Sequence, residues 1–139
     1  MKTVFQTSIL NHRNLNNLFN IQNMLQGNLF QIDAEISWED LGNGIKRQCY
    51  GYDERVMLVK VKFEAGAIGQ LHEHHHTQVT YVESGAFEMT IGNEKKIIKK
   101  GDGYYVPPHE IHGCVCLEPG MLIDVFSPYR EDFLPTSTI

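Results

Sequence analysis

The sequence predicts an all-β fold, a compact antiparallel sandwich or barrel behind an N-terminal extension, and three observations carry that prediction. From Ile45 onward short runs alternate apolar and polar residues, as in Met57-Val59-Val61-Phe63 against Leu58-Lys60-Lys62 and Phe87-Met89-Ile91 against Glu88-Thr90, which is the period of half-buried strands. Turn signals punctuate those runs at Gly66, Gly85, Gly92-Asn93, Gly101-Asp102-Gly103, Pro107-Pro108 and Pro119-Gly120. No helical pattern interrupts them, so parallel strand-helix-strand units are excluded.

Taken in order, the first element is a helix. Leu15, Leu18, Phe19, Met24 and Leu25 recur at helical spacing between Asn11 and Gln26, with Asn11 or Asn14 able to cap the start. Gly27-Asn28 ends it, and Leu29-Phe30-Gln31-Ile32 reads as a strand before the turn-rich Asp40-Leu41-Gly42-Asn43-Gly44. Residues 1–35 therefore read as an extension, a short helix plus a strand, and 36–139 as one domain. A chain of 139 residues can bury a core without staples. Near the C-terminus Met121 to Phe126 reads as a strand with Leu122, Asp124 and Phe126 on one face, and Ser127-Pro128 breaks it. No internal repeat or low-complexity segment is visible.

Composition excludes several classes of partner. A formal net charge of -5, with no basic run longer than two lysines, removes the electrostatic driving force for nucleic acid. No stretch approaches the roughly 20 apolar residues needed to cross a bilayer, and the first residues lack the apolar run of a secretory signal. Cys49, Cys114 and Cys116 are odd in number, and two of them share a strand face as core hydrophobes. The expectation is a soluble cytoplasmic protein.

Four of the seven histidines fall in His72-Glu73-His74-His75-His76. Read as the start of a strand continuing through Gln78, Thr80 and Val82, the segment turns His72, His74, His76 and Gln78 to one face. Imidazole nitrogens and an amide oxygen suit a borderline divalent ion. The alternative is a surface histidine patch. Spacing argues against it: Gly66-x5-His72-x-His74-x3-Gln78-x6-Gly85 is followed by Gly101-x5-Pro107-x-His109-x2-His112. The two strings resemble the paired motifs of the cupin superfamily, whose fold is a double-stranded β-helix or jelly-roll barrel. That resemblance implies one divalent metal ion held by His72, His74, Gln78 and His112, with nickel, zinc, manganese and iron all compatible. Three departures stand out: Gln78 replaces the usual glutamate, His109 a glycine and Cys116 an asparagine. A neutral shell leaves the ion its full positive charge, and with it a greater appetite for an anionic substrate. His75 reads as solvent-facing, His76 as a residue orienting a ligand, His109 as a loop residue, and His12 as incidental.

Asp124 is the candidate inward carboxylate, and Arg130 follows closely enough to curl back over a barrel mouth; a plain Asp124–Arg130 ion pair is the alternative. The tail Asp124-Val125-Phe126-Ser127-Pro128-Tyr129-Arg130-Glu131-Asp132-Phe133-Leu134, with Gly44-Ile45-Lys46-Arg47 and Gly51-Tyr52 upstream, resembles the KdgF family of small cupins. The likeness spans about residues 36 to 134. It implies ring opening of 4,5-unsaturated uronates from pectin or alginate breakdown to linear 5-keto-4-deoxyuronates. In that reading Asp124 and Arg130 are the polar catalytic residues and Phe126 shapes the pocket. The implied partner is a small anionic sugar, and a homodimer is expected because cupins pair through sheet edges. Two rival readings are a metal-dependent dioxygenase and a non-catalytic sugar-acid-binding module.

Overall fold

The computed structural model describes residues 25–135. Eight strands follow one another: β1 (Glu39–Gly42), β2 (Ile45–Asp53), β3 (Val56–Phe63), β4 (Ile68–His72), β5 (Thr77–Ile91), β6 (Glu94–Lys99), β7 (Gly103–Val106) and β8 (His112–Ser127). Two 3-10 turns, Asp33–Glu35 and Glu131–Phe133, are the only helical pieces among the described residues. The helix expected from Asn11 lies outside them save its last two residues, where Gln26 forms a bridge to Asp53 instead.

All pairings are antiparallel, in the order β1-β2-β3-β8-β5-β6, with β4 joined to β8 and β7 to β5. The spine is the β5–β8 pair, which runs from Thr77↔Ser127 to Ile91↔His112. Each of these strands serves two sheets. The first part of β5 takes β7 on its other edge and the second part takes β6; β8 takes β4 at its start and β3 at its end. The changeover sits at Gly85 and Gly120, where the register shifts repeatedly. Turns were expected at Gly85 and Pro119-Gly120; both glycines lie inside strands and face each other across a bend. A Cβ on Gly85 would stand 2.6 Å from the Glu118 carbonyl oxygen and 2.6 Å from Gly120 Cα, and its φ is +79°. Close backbone approach explains why a strand corner and a turn leave the same mark in a sequence.

The bend lays one sheet's inner face on the other. Phe63 from β3 meets Phe87 from the far half of β5 edge-to-face, centroids 5.3 Å apart, among Val82, Met89, Cys114, Cys116 and Leu122. A smaller cluster, Met57, Val59 and Phe126, is closed by Tyr129, Phe133 and Leu134. The alternation read in Met57–Phe63 and Phe87–Ile91 thus describes the inner face, and the three cysteines are unpaired.

The strand expected at Leu29–Ile32 does not form. The free edge of β2 is taken by Gly27, whose N–H donates to the Tyr52 carbonyl at 2.9 Å, and Leu29 and Phe30 stand 87% and 82% exposed. With neither an edge nor a core to join, apolar residues alone do not make a strand.

Gly85→Ala is expected to lower stability by about 2–4 kcal/mol, combining strain with a backbone clash. Gly101→Ala, at φ +93° with no atom within 4 Å of its Cβ position, should cost only about 1–2 kcal/mol. Urea midpoints of the two variants check the contrast.

Candidate metal centre and pocket

The histidines reach one point by a route different from simple alternation. His72 is the last residue of β4, His74 lies in the loop 73–76, Gln78 is the second residue of β5, and His112 opens β8. The expected continuous strand from His72 through Gln78 is therefore broken. The break is imposed from outside: the His109 N–H donates to the His74 carbonyl at 2.8 Å, pinning the loop so that β5 restarts beyond it. Pairing of β4 with β8 sets His72 opposite His112, ring centroids 4.3 Å apart, and His74 closes the triangle at 4.8 Å from His112.

Each ring is oriented by backbone. Nδ1 of His72 faces the Gln70 carbonyl at 2.7 Å, Nδ1 of His74 the His76 carbonyl at 3.1 Å, and Nδ1 of His112 the Glu110 carbonyl at 2.9 Å. A carbonyl only accepts, so every Nδ1 must carry a proton and Nε2 is the nitrogen left to ligate. The three residues can bring ligand atoms within 4.8 Å of one another. Burial pushes the His112 imidazole down to about 4, aided by His72, His74 and Arg130 and opposed by the bond to Glu110. His74 is lowered first by burial and then by Arg130. Neutral rings are what a metal ion requires.

Gln78 completes the arrangement. Its Nε2 donates to Thr80 Oγ1 at 3.0 Å and to Asp124 Oδ1 at 3.3 Å, while Thr80 donates to Asp124 Oδ1 at 2.6 Å. With the amide nitrogen so committed, Oε1 must face His74 Nε2, 3.0 Å away. Two acceptors then confront each other, and His112 Nε2 is buried without a partner. Both features are what a cation between these groups would satisfy, so the residues present fit a metal ion.

A cavity of about 250 Å³ opens against this cluster, lined by His72, Gln78, His112, Asp124, Phe126 and Arg130 among others. Asp124, paired with Thr80 across β5 and β8, has its carboxyl raised to about 6: burial outweighs the hydrogen bonds from Thr80 and Gln78 and the charge of Arg130. Arg130 forks onto Asp132 at 2.8 and 3.0 Å, so its ion-pair partner is not Asp124. Its guanidinium lies 5.0 Å from the Phe126 ring centre and 4.0 Å from that of Phe133.

His76 is buried, packed against His74 and Phe126; its backbone carbonyl, rather than its ring, orients His74. His75 is exposed and stacks on His76. His109 occupies a positive-φ loop position 3.9 Å from Glu73. Thr80 and Tyr104 were not expected at the site. Thr80 shares the inward alternation of Gln78, and that was the signal available for it; Tyr104, on β7, becomes a wall only through pairing with Thr80.

A β-barrel with three convergent imidazoles at one mouth defines a cupin, and residues 59–126 match the family described as Cupin domain. Over 105 residues the chain is 50% identical to the pectin degradation protein KdgF of Dickeya dadantii, spanning 74% of this chain and 96% of that one. Among solved structures it resembles an RmlC-like cupin from Shewanella frigidimarina (TM-score 0.78, 44% identity, 80% of this chain and 100% of the other). It also resembles KdgF from Halomonas sp. (TM-score 0.74, 42% identity, 78% and 100%). The chain belongs to the KdgF family of cupins.

Thr80→Val, which removes the hydroxyl linking Gln78 to Asp124, is expected to weaken metal affinity about tenfold or more, the usual effect of losing a residue that orients a ligand. His112→Ala should abolish metal uptake. Competition against a chromogenic chelator measures both.

Proposed function

We propose that this protein converts 4,5-unsaturated uronates to linear 5-keto-4-deoxyuronates, with one divalent ion held by His72, His74, Gln78 and His112, Asp124 and Arg130 as catalytic residues, and Phe126 as a pocket wall. One observation carries the reading: a single cavity joins imidazoles, a buried carboxyl and a guanidinium in a chain 50% identical to a pectin degradation protein.

The substrate is a cyclic enol ether carrying a carboxylate. Opening it is an isomerisation: the hydroxyl at C1 loses its proton, the bond from C1 to the ring oxygen breaks to leave an aldehyde and an enolate at C5, and the same proton, added at C4, turns the enolate into a ketone. Atoms and electrons balance without an oxidant. A divalent ion in the shell would supply a Lewis acid for the substrate's oxygens. Asp124 suits the proton transfers because it can accept the C1 hydroxyl proton and return it at C4. Thr80 and Gln78 hold the carboxyl in place from one side, leaving its remaining lone pairs for substrate. Arg130, kept rigid by Asp132, anchors the carboxylate, a task its planar fork performs better than a lysine would. Phe126 meets His74 edge-to-face and excludes water from the reacting carbons.

We further propose that the enzyme works in the cytoplasm, with small uronates rather than nucleic acid or membranes as partners, and as a homodimer. Three free cysteines accord with a reducing compartment, and among the described residues no helix is long and apolar enough to cross a membrane. The exposed residues Val79, Tyr81 and Tyr105 neighbour one another by register on the outer face, a surface a second copy could cover.

Loss of the ultraviolet absorbance of a 4,5-unsaturated uronate is expected with metal-loaded protein above the spontaneous rate, and not after chelation. It should persist under nitrogen with zinc in the site; a requirement for oxygen and a redox metal would establish the dioxygenase instead, and tight binding without product a storage module. Asp124→Asn and Arg130→Ala are each expected to lower kcat/KM about 100-fold or more while metal content stays that of the parent protein. Normal turnover in both variants would remove these assignments.

A further inference from the structure

A second guanidinium stands in the same cavity. Arg47, on β2, has a side chain only 12% exposed and lines the pocket with His72, Asp124 and Arg130. Its carbon lies 3.8 Å from the centre of the Phe133 ring, the ring that also carries Arg130 at 4.0 Å. One aromatic side chain thus carries both cations. Their sign would drive them apart were each not countered. Glu39 accepts from Arg47 Nε and Nη2 at 3.1 and 2.8 Å, as Asp132 does from the same two nitrogens of Arg130.

The two arginines therefore have one arrangement: the Nε edge is tied to a carboxylate, a face rests on Phe133, and the rest of the fork is uncommitted. Among the described residues no acceptor takes the remaining three N–H groups of either arginine. The unbonded Nη1 of neither arginine is shut off from solvent, so an incoming acceptor can reach it. Both arginines line a cavity that also offers a cation site, a setting that suits an anionic acceptor.

We propose that Arg47 is a second substrate-binding residue, whose free edge receives the substrate's carboxylate together with that of Arg130. The inference rests on the uronate reading above and deepens it. Glu39 and Asp132 fix the forks, Phe133 sets their spacing, and the carboxylate bridges the two, which makes the pocket selective for sugar acids over neutral sugars of the same shape.

The test uses metal-loaded protein with the 4,5-unsaturated uronate, and calorimetry with a saturated uronate and its neutral parent sugar. Arg47→Gln is expected to raise KM about tenfold or more with a smaller change in kcat, as removal of a charge-assisted hydrogen bond to a carboxylate does. The variant should also weaken binding of the saturated uronate and leave that of the neutral sugar unchanged. Arg47→Lys should recover part of the loss. Glu39→Gln, which breaks the ion pair but keeps the guanidinium, separates binding from support: it should raise KM by less than about threefold. Equal KM increases in Arg47→Gln and Glu39→Gln, or an unchanged KM in Arg47→Gln, would overturn the proposal while the parent enzyme's turnover still upholds the uronate reading. If the metal-loaded parent neither turns over the uronate nor binds its saturated relative, both fall together.

Discussion

The structure depends on one close contact between backbones, the crossing of Gly85 and Gly120 in the β5–β8 ribbon. Gln78 pairs near one end of that ribbon and His112 at the other. Laid flat, at about 3.4 Å per residue, those ends would stand roughly 40 Å apart. The bend instead folds the ribbon over so that both residues border one cavity. Side chains cannot be accommodated where strand corners approach so closely, so two small residues must face each other there. Hydrophobic burial then locks the fold-over, since Phe63, Phe87 and Leu122 from the two sheets lose their water only when the ribbon is bent. Metal centre and core are consequences of the same geometry: whatever opens the corner separates the ligands and exposes the core together.

The polar groups of the pocket form a chain in which each fixes the next. Backbone carbonyls at Gln70, His76 and Glu110 set the imidazole tautomers. Asp124 and Thr80 set the Gln78 amide, and that amide turns its oxygen on His74. The cost is a buried carboxyl and the buried, unpartnered Nε2 of His112, both of which a bound cation would relieve. Such a site is preorganised: little has to rotate when ligands arrive, and the free energy of binding is not spent on ordering side chains.

Much of this was legible in the residues. Alternation in Met57–Phe63 and Phe87–Ile91 identified the inward faces because both strands bury one side only. Leu122, Asp124 and Phe126 shared a face for the same reason. The cupin likeness was readable because the histidine spacing lies in the chain itself, where backbone carbonyls two residues away hold each ring. What stayed hidden depends on contacts distant along the chain. Glycine marks both a turn and a strand corner, so Gly85 and Gly120 could not be told from Gly66 or Gly101 without their partners. The break after His72 is made by the backbone of His109, and the orientation of His74 follows from it. Leu29–Ile32 carries the composition of a strand but finds no free edge.

The glutamine at position 78 has a reason beyond the charge of the metal shell. Its amide nitrogen lies 3.3 Å from Asp124 and 3.0 Å from Thr80. A glutamate there has no hydrogen to give; it would set two carboxylates against each other in a buried space, where one must take up a proton or move away. The departure at Gln78 and the presence of Asp124 are therefore coupled choices. If Gln78 is a ligand, as proposed above, a cupin with an ionisable carboxyl on the strand beside its metal site gains from a side chain that can donate as well as coordinate, and glutamine does both. Removing the carboxylate from the shell also leaves Arg47 and Arg130 without an anion facing them from the metal. On the function proposed above, the bound uronate supplies the negative charge in front of that pair, and a neutral shell, a donated hydrogen bond and two guanidiniums would all serve one sugar acid.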